Sequence, residues 1–136
     1  MRIFLDANIL FSAARNDGAV RELLRRLTKA GHACCADGYV IEEARRNLAL
    51  KAPHGLDTLA ELLDSLDIGA TVQNALPIDA MRSIPAKDRP VLAAAIHMRC
   101  AALVSGDRTH FGAHYGKRLG GVTIHSPRSL FDALLA

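Results

Sequence analysis

Residues 90–107 read PVLAAAIHMRCAALVSGD, and the order of their parts decides the class of fold. From Pro90 to Arg99 the chain is apolar on almost every side except His97, a pattern that predicts a buried helix. Ala102 to Val104 then reads as a short buried strand, and the turn pair Ser105 and Gly106 delivers Asp107 straight after it. A helix buried on all sides that feeds directly into a strand predicts an α/β chain with a mainly parallel sheet. The N-terminus ends its first strand the same way, with Ile3, Phe4 and Leu5 closed by Asp6. Asp6 and Asp107 thus read as carboxylates at the carboxyl ends of strands, the rim where open α/β sheets bind ligands.

The segments between these two ends alternate in kind. Val20, Leu23, Leu24, Leu27 and Ala30 recur at helical spacing, Gly31 ends that helix, and Ala33 to Ala36 form a short strand before Gly38. A second helix is expected from about Val40 to Leu50, and Leu56, Leu59, Ala60, Leu63 and Leu66 give another, followed by a weak strand near Thr71 and Val72. Val122 to His125 reads as the last strand, and Pro127 opens a closing helix through Leu135. The stretch from Gln73 to Lys87, with Pro77 and Pro85, is too short to separate domains. Residues 1–136 are therefore expected to form a single domain, with a mainly parallel sheet of four or five strands and helices on both faces. Right-handed crossovers would bring the strand ends to one rim.

Composition narrows the classes further. A chain of 136 residues that is 50% hydrophobic can build one core without disulfides or a structural metal. No apolar stretch approaches the roughly 20 residues that span a bilayer, and Met1 leads straight into a strand, so a cytoplasmic location without membrane contact is expected. Cys34 and Cys35 are adjacent and Cys100 stands alone, which gives no disulfide framework and no zinc spacing; all three read as small buried apolar residues. The formal charge is only +3, yet if four of the 14 acids gather round a cation the remaining surface is more basic than the total implies. Arg25, Arg26 and Lys29 read as a solvated helix face, and Arg45 and Arg46 follow Glu43. Lys87, Arg89 and Arg108 flank Asp88 and Asp107, where basic groups would suit a phosphate-bearing polymer.

Glu43 in VIEEARRNL and Asp88 in AKDRPVL complete the set with Asp6 and Asp107. Each acid alone has an ordinary local explanation. Asp6 suits a cap for a short helix from Asn8 to Ala14, Asp88 an N-cap before Pro90, Asp107 a turn in SGD, and Glu43 a solvated helical charge. Together they suit a different one. Two carboxylates about 4 Å apart repel by about 4 kcal/mol at an effective dielectric of about 20, so a cluster of them calls for a cation or for protons. Hydrolysis of a phosphodiester needs an activated water and relief of phosphoryl charge, which a divalent cation on carboxylates supplies.

The strings FLDANILFSA, IEEARRNL, KDRPVLAAAI and LVSGDRTHFG, in this order, resemble the PIN-domain nucleases over nearly the whole chain, and the tail HFGAHYGKRLGGVTIHSPRSL resembles one bacterial and archaeal branch. The resemblance implies an α/β/α sandwich whose acidic centre binds Mg²⁺ or Mn²⁺ and cleaves RNA. It also implies likeness to the small stand-alone VapC-like ribonucleases, the toxin half of type II toxin-antitoxin pairs. Position by position, Asp6, Glu43, Asp88 and Asp107 match the four catalytic acids, with Asp6, Asp88 and Asp107 expected on the metal and Glu43 on the water or a second ion. Glu43 is preferred to its neighbour Glu42 because its spacing to Leu48 suits the family pattern. Asn8 and Ser105 are expected to support the carboxylates, and Lys87, Arg89, Arg108 or His110 to contact RNA phosphates. Two positions depart from the pattern: Ala7 stands where a Thr is frequent, and Arg108, Thr109 and His110 lack the extra acid some members carry, which weakens the case for a second metal. The candidate partners are RNA, a cognate antitoxin protein and a second copy of the chain. A phosphatase of the haloacid-dehalogenase type would need an acid where Asn8 stands, and no strand pair supplies the Asp and Lys of a phosphorelay receiver. The rival from another class is a non-catalytic PIN-like module that binds RNA or protein.

Overall fold

The computed structural model describes residues 1–71, 82 and 84–136, without the side chain of Lys87. Its first strand, β1 (Arg2–Leu5), is buried from Ile3 onward and runs into α1 (Ala7–Arg15), which begins at Asp6. Helix α2 (Ala19–Lys29) buries Leu23, Leu24 and Leu27 and ends before Gly31, whose φ of 90° turns the chain back. Strand β2 (Ala33–Asp37) follows, and Asp37 accepts from the Val40 amide to start α3 (Gly38–Lys51). After α4 (Leu56–Leu63) comes the short β3 (Asp67–Gly69). The weak strand read near Thr71 and Val72 is thus displaced: a strand forms at Asp67–Gly69, Thr71 lies outside it, and Val72 is outside the described residues.

Helix α5 (Arg89–His97) starts with Pro90 in its first turn and buries Val91 to Ala95 in an unbroken run, as the all-round apolar pattern predicts. Arg99, at φ 58°, makes the tight turn that sends the chain into β4 (Ala102–Val104). Then come α6 (Arg108–Phe111), β5 (Arg118–Leu119), β6 (Val122–His125) and α7 (Pro127–Leu134). Gly120 and Gly121 both have positive φ, which a two-residue hairpin turn between β5 and β6 requires. A strand of two residues carries no readable alternation, so only this glycine pair announced it.

Among the described residues the sheet has six strands in the order β3-β2-β1-β4-β6-β5, one more than the upper expectation because of β5. Every pairing is parallel except β5 with β6. The chain builds outward from β1 through β2 to β3, then returns to the other side of β1 with β4. Right-handed crossovers therefore put α1 to α4 on one face and α5 on the other, which makes the expected α/β/α sandwich. The direction of winding reverses between β1 and β4, and at such a reversal the loops part and leave a crevice beyond the strand ends. Leu5 is level with Val104, so Asp6 and Ser105 leave the sheet side by side.

The core is one cluster, centred on Ile3, Phe4, Leu5, Leu92, Leu103 and Ile124, all fully buried. Cys34, Cys35 and Cys100 are buried free thiols, and burial pushes Cys34 up to about 11. No described helix is long and apolar enough to cross a membrane. Packing leaves no room for a further carbon where the turn from α3 to α4 meets α1. A Cβ on Gly55 would stand 2.9 Å from both the Ala14 carbonyl oxygen and Leu48 Cδ2. Gly55→Ala is expected to destabilise the protein by about 1–3 kcal/mol in urea titration, because the obstructing atom is backbone and cannot step aside.

Candidate active site

At the rim between β1 and β4 a cavity of about 270 Å³ collects Asp6, Glu43, Asp88 and Asp107, together with Asn8 and His110. These acids come from four separate segments of the chain. Asp6 terminates β1, Glu43 faces in from the second turn of α3, Asp88 stands just before α5, and Asp107 follows β4. Larger grooves run between α2 and α4 and between α2 and α7, but each is lined by a single acid, Glu61 or Glu22. The four acids grouped from the sequence are therefore brought to one place.

Asp6 is the most enclosed of them, only 5% exposed. One oxygen accepts from the Ala7 amide at 2.8 Å and so caps α1; the other accepts from Ser105 Oγ at 2.7 Å and Asn8 Nδ2 at 3.2 Å. Ser105 is itself fully buried, and its hydroxyl accepts from Asn8 Nδ2 and from the Asp107 amide while donating to Asp6. Asn8 closes the ring by accepting from the Gly106 amide at 2.8 Å. A hydroxyl with one donor and two lone pairs is fully used here, so Ser105 can hold Asp6 in one orientation only. Burial pushes the Asp6 carboxyl up to about 6, with Glu43 and Asp88 adding to the rise against the opposing hydrogen bonds from Ser105 and Ala7.

Asp107 divides its two oxygens between structure and site. Oδ1 accepts from the Thr109 and His110 amides and caps α6, while Oδ2 lies 2.7 Å from His110 Nδ1. Asp88 does not cap α5 with its side chain, although its position before Pro90 suits an N-cap; its Oδ2 instead lies 3.0 Å from the same His110 nitrogen. His110, read from sequence as a phosphate contact, thus stands inside the cavity between two carboxylates. Glu43 lines the cavity, whereas Glu42 is exposed and pairs with Arg45 at 3.0 Å. Arg108 is exposed on α6, and Arg89 Nε donates to the Ile84 carbonyl; the side chain of Lys87 lies outside the described residues.

Further residues belong to the site that sequence reasoning passed over. Tyr115 donates from its hydroxyl to the Ser105 carbonyl at 2.7 Å, which fixes the turn carrying Asp107. Phe11, Tyr39, Asn47 and Lys51 line the cavity walls. Burial, with Glu43 and Asp88 close by, raises the Tyr39 phenol above its usual range and keeps it neutral. The four-residue spacing of Tyr39, Glu43, Asn47 and Lys51 along a helix was the signal available for them.

Oxygen donors of this kind suit a hard divalent cation, which would offset both the burial of Asp6 and the like charges of Glu43 and Asp88 that add to its rise. Among the described residues no three of the acids and histidines already enclose a common point, since Asp88 and Asp107 both face the His110 ring. His110 is a competitor for oxygens that a metal would need.

No protein-family model and no curated protein sequence matches the chain. Solved structures do. A chain of the VapBC2 complex from Rickettsia felis, solved with a DNA fragment from its promoter, superposes with a TM-score of 0.68 at 15% identity, covering 93% of this chain and 98% of that one. A chain of DNA-bound VapBC from Salmonella typhimurium gives 0.64 at 14% identity over 93% and 98%. VapC20 of Mycobacterium tuberculosis, described as a toxin that cleaves the sarcin-ricin loop, gives 0.58 at 11% identity over 82% and 94%. The chain has the fold found in these VapC structures, the PIN-like architecture that the sequence resemblance implied.

The raised Asp6 carboxyl sets a pH dependence. Between about pH 4 and 6 folded Asp6 holds a proton that the unfolded chain releases. Its contribution to stability is therefore complete below about pH 4 and lost as pH rises through about 6, a swing of at most roughly 3 kcal/mol. Urea titrations in EDTA should detect this loss in the native protein and find it absent in Asp6→Asn.

Proposed function

We propose that this protein is a metal-dependent ribonuclease that hydrolyses RNA phosphodiester bonds and acts as the toxin of a type II toxin-antitoxin pair. The observation that carries the proposal is the gathering of four acids from four segments into one cavity at the sheet reversal. Such a cluster opposes folding at Asp6, whose carboxylate is buried with the like charges of Glu43 and Asp88 nearby. Its cost is intelligible as the preparation of a cation site. The VapC likeness supports the same reading at the level of fold.

Asp6, Asp88 and Asp107 would hold Mg²⁺ or Mn²⁺. When bound, the cation relieves phosphoryl charge and makes water a nucleophile near neutral pH. Glu43, which lines the cavity and has no described side-chain hydrogen bond, would orient that water and take its proton. Asn8 and Ser105 keep Asp6 in its orientation, and Tyr115 keeps Ser105 in place. Exposed Arg108, next in sequence to Asp107, would meet a phosphate of the incoming strand.

The partner in this reading is an antitoxin that covers the acidic rim and offers a basic side chain to the carboxylates in place of the metal. That two of the similar structures are VapBC complexes supports a protein partner for this chain. A second copy of the chain remains a further proposed partner, and the cytoplasm the proposed location.

Purified protein should cut single-stranded RNA with Mn²⁺ or Mg²⁺ and not in EDTA. Asp6→Asn and Asp88→Asn should lower the rate by orders of magnitude at unchanged circular dichroism. RNA binding without any cleavage would instead favour a non-catalytic module. Mn²⁺ should also raise the melting temperature, and Asp107→Asn should remove most of the rise, since a ligand of the folded state stabilises it. Expression alone should arrest growth, and Asp6→Asn should restore it at equal protein level; arrest-free growth with active enzyme would leave a nuclease that is no toxin.

A further inference from the structure

Along α3 the residues Tyr39, Glu43, Asn47 and Lys51 recur at every fourth position, so they lie one above another on one face. All four line the acidic cavity. Val40, Ile41, Ala44 and Leu48 fill the core from the neighbouring face, and that packing fixes which way the stripe points. The stripe runs from the acids toward a cation. Lys51 lies eight residues beyond Glu43, about 12 Å along the helix, and is exposed. Among the described residues neither Asn47 nor Lys51 makes a side-chain hydrogen bond or ion pair, so the fold does not account for them.

Helix α1 adds an aromatic side chain to the lining. Phe11 on α1 lines the same cavity, and the Arg15 guanidinium lies 5.8 Å from its ring centroid. At about 270 Å³ the cavity has room for a base or a sugar. A base that stacks on Phe11 must first leave its own stack, which favours a single strand over a duplex at this point.

We propose that this stripe is a track for unpaired RNA leading away from the acidic centre: Lys51 holds a phosphate beyond the scissile one, Asn47 reads the edge of one base, and Phe11 stacks on that base. The assignment rests on the ribonuclease reading, and it names the substrate as single-stranded RNA bound with a base preference at one position. Asn47 offers a donor and an acceptor side by side, the pattern an unpaired base edge presents. Phe11 offers a π-face, which any base can use. A protein segment docked on α3 is the competing occupant. RNA is favoured because Glu43, the acid proposed to orient the attacking water, belongs to the stripe, so a strand positioned for cleavage lies beside it.

The test uses fluorescence anisotropy with labelled oligo(A), oligo(U) and oligo(C) single strands, in an Asp107→Asn background that stops cleavage. Lys51→Ala should weaken binding to all three about equally and reduce the slope of log affinity against log salt by about 0.7. Asn47→Ala should level the differences among the three strands, a change of about tenfold for the preferred one. Phe11→Leu, which keeps an apolar contact with the core, should lower affinity at least about fivefold. Lys29→Ala on α2 serves as the control and should leave the slope unchanged. If Lys51→Ala and Asn47→Ala bind all three strands with unchanged affinity and slope, the track is overturned and the stripe is left to a protein partner. Cleavage by the Asp107-containing protein separates the two claims. Cutting with no effect of the stripe variants sinks the track alone, whereas stripe-dependent binding without cutting in Mn²⁺ sinks the ribonuclease reading alone.

Discussion

Asp6 is a carboxylate held almost wholly out of water at the end of the central strand, and the rest of the rim is organised round that fact. A buried carboxylate must either take a proton or find compensation. Compensation comes from the Ala7 amide, Ser105 and Asn8, each delivered by the chain next to β1 or β4. It is incomplete, since the carboxyl remains raised to about 6 and Glu43 and Asp88 push it upward. The unmet remainder is a demand for positive charge, and the proposed chemistry is built on it.

His110 stands at the same rim. Its ring nitrogen is shared by Asp88 and Asp107, at 3.0 and 2.7 Å, so two acids brought together by the fold meet at one imidazole. Local capping and site geometry coexist in these residues. Asp6 and Asp107 each give one oxygen to a helix start and keep the other for the site, whereas Asp88 gives its helix no side-chain cap. Capping alone would account for Asp6 and Asp107; it does not account for Asp88.

Much of this was legible in the chain. The all-apolar run from Val91 to Ala95, the two strand ends closed by Asp6 and Asp107, and the helix stop at Gly31 all follow from periodicity and turn chemistry that act within a few residues. What escaped had at most a weak local signature. β3 formed at Asp67–Gly69, a segment whose pairing with β2 outweighs its weak propensity, and β5 is held by its hairpin with β6. Tyr115 acts on Ser105 from ten residues away, a distance no pattern rule spans.

The sequence by itself determined the alternation of helices and strands, the burial of the central helix and the identity of the acids, because these depend on side-chain polarity and spacing along one segment. Only the tertiary structure decided that Glu43 and not Glu42 enters the cavity, that His110 lies between two carboxylates, and that Asn47 and Lys51 extend the acidic site along α3. The reason is geometric. Which face of α3 turns inward is set by packing Val40, Ala44 and Leu48 against the core, and where the strand ends meet is set by the reversal between β1 and β4.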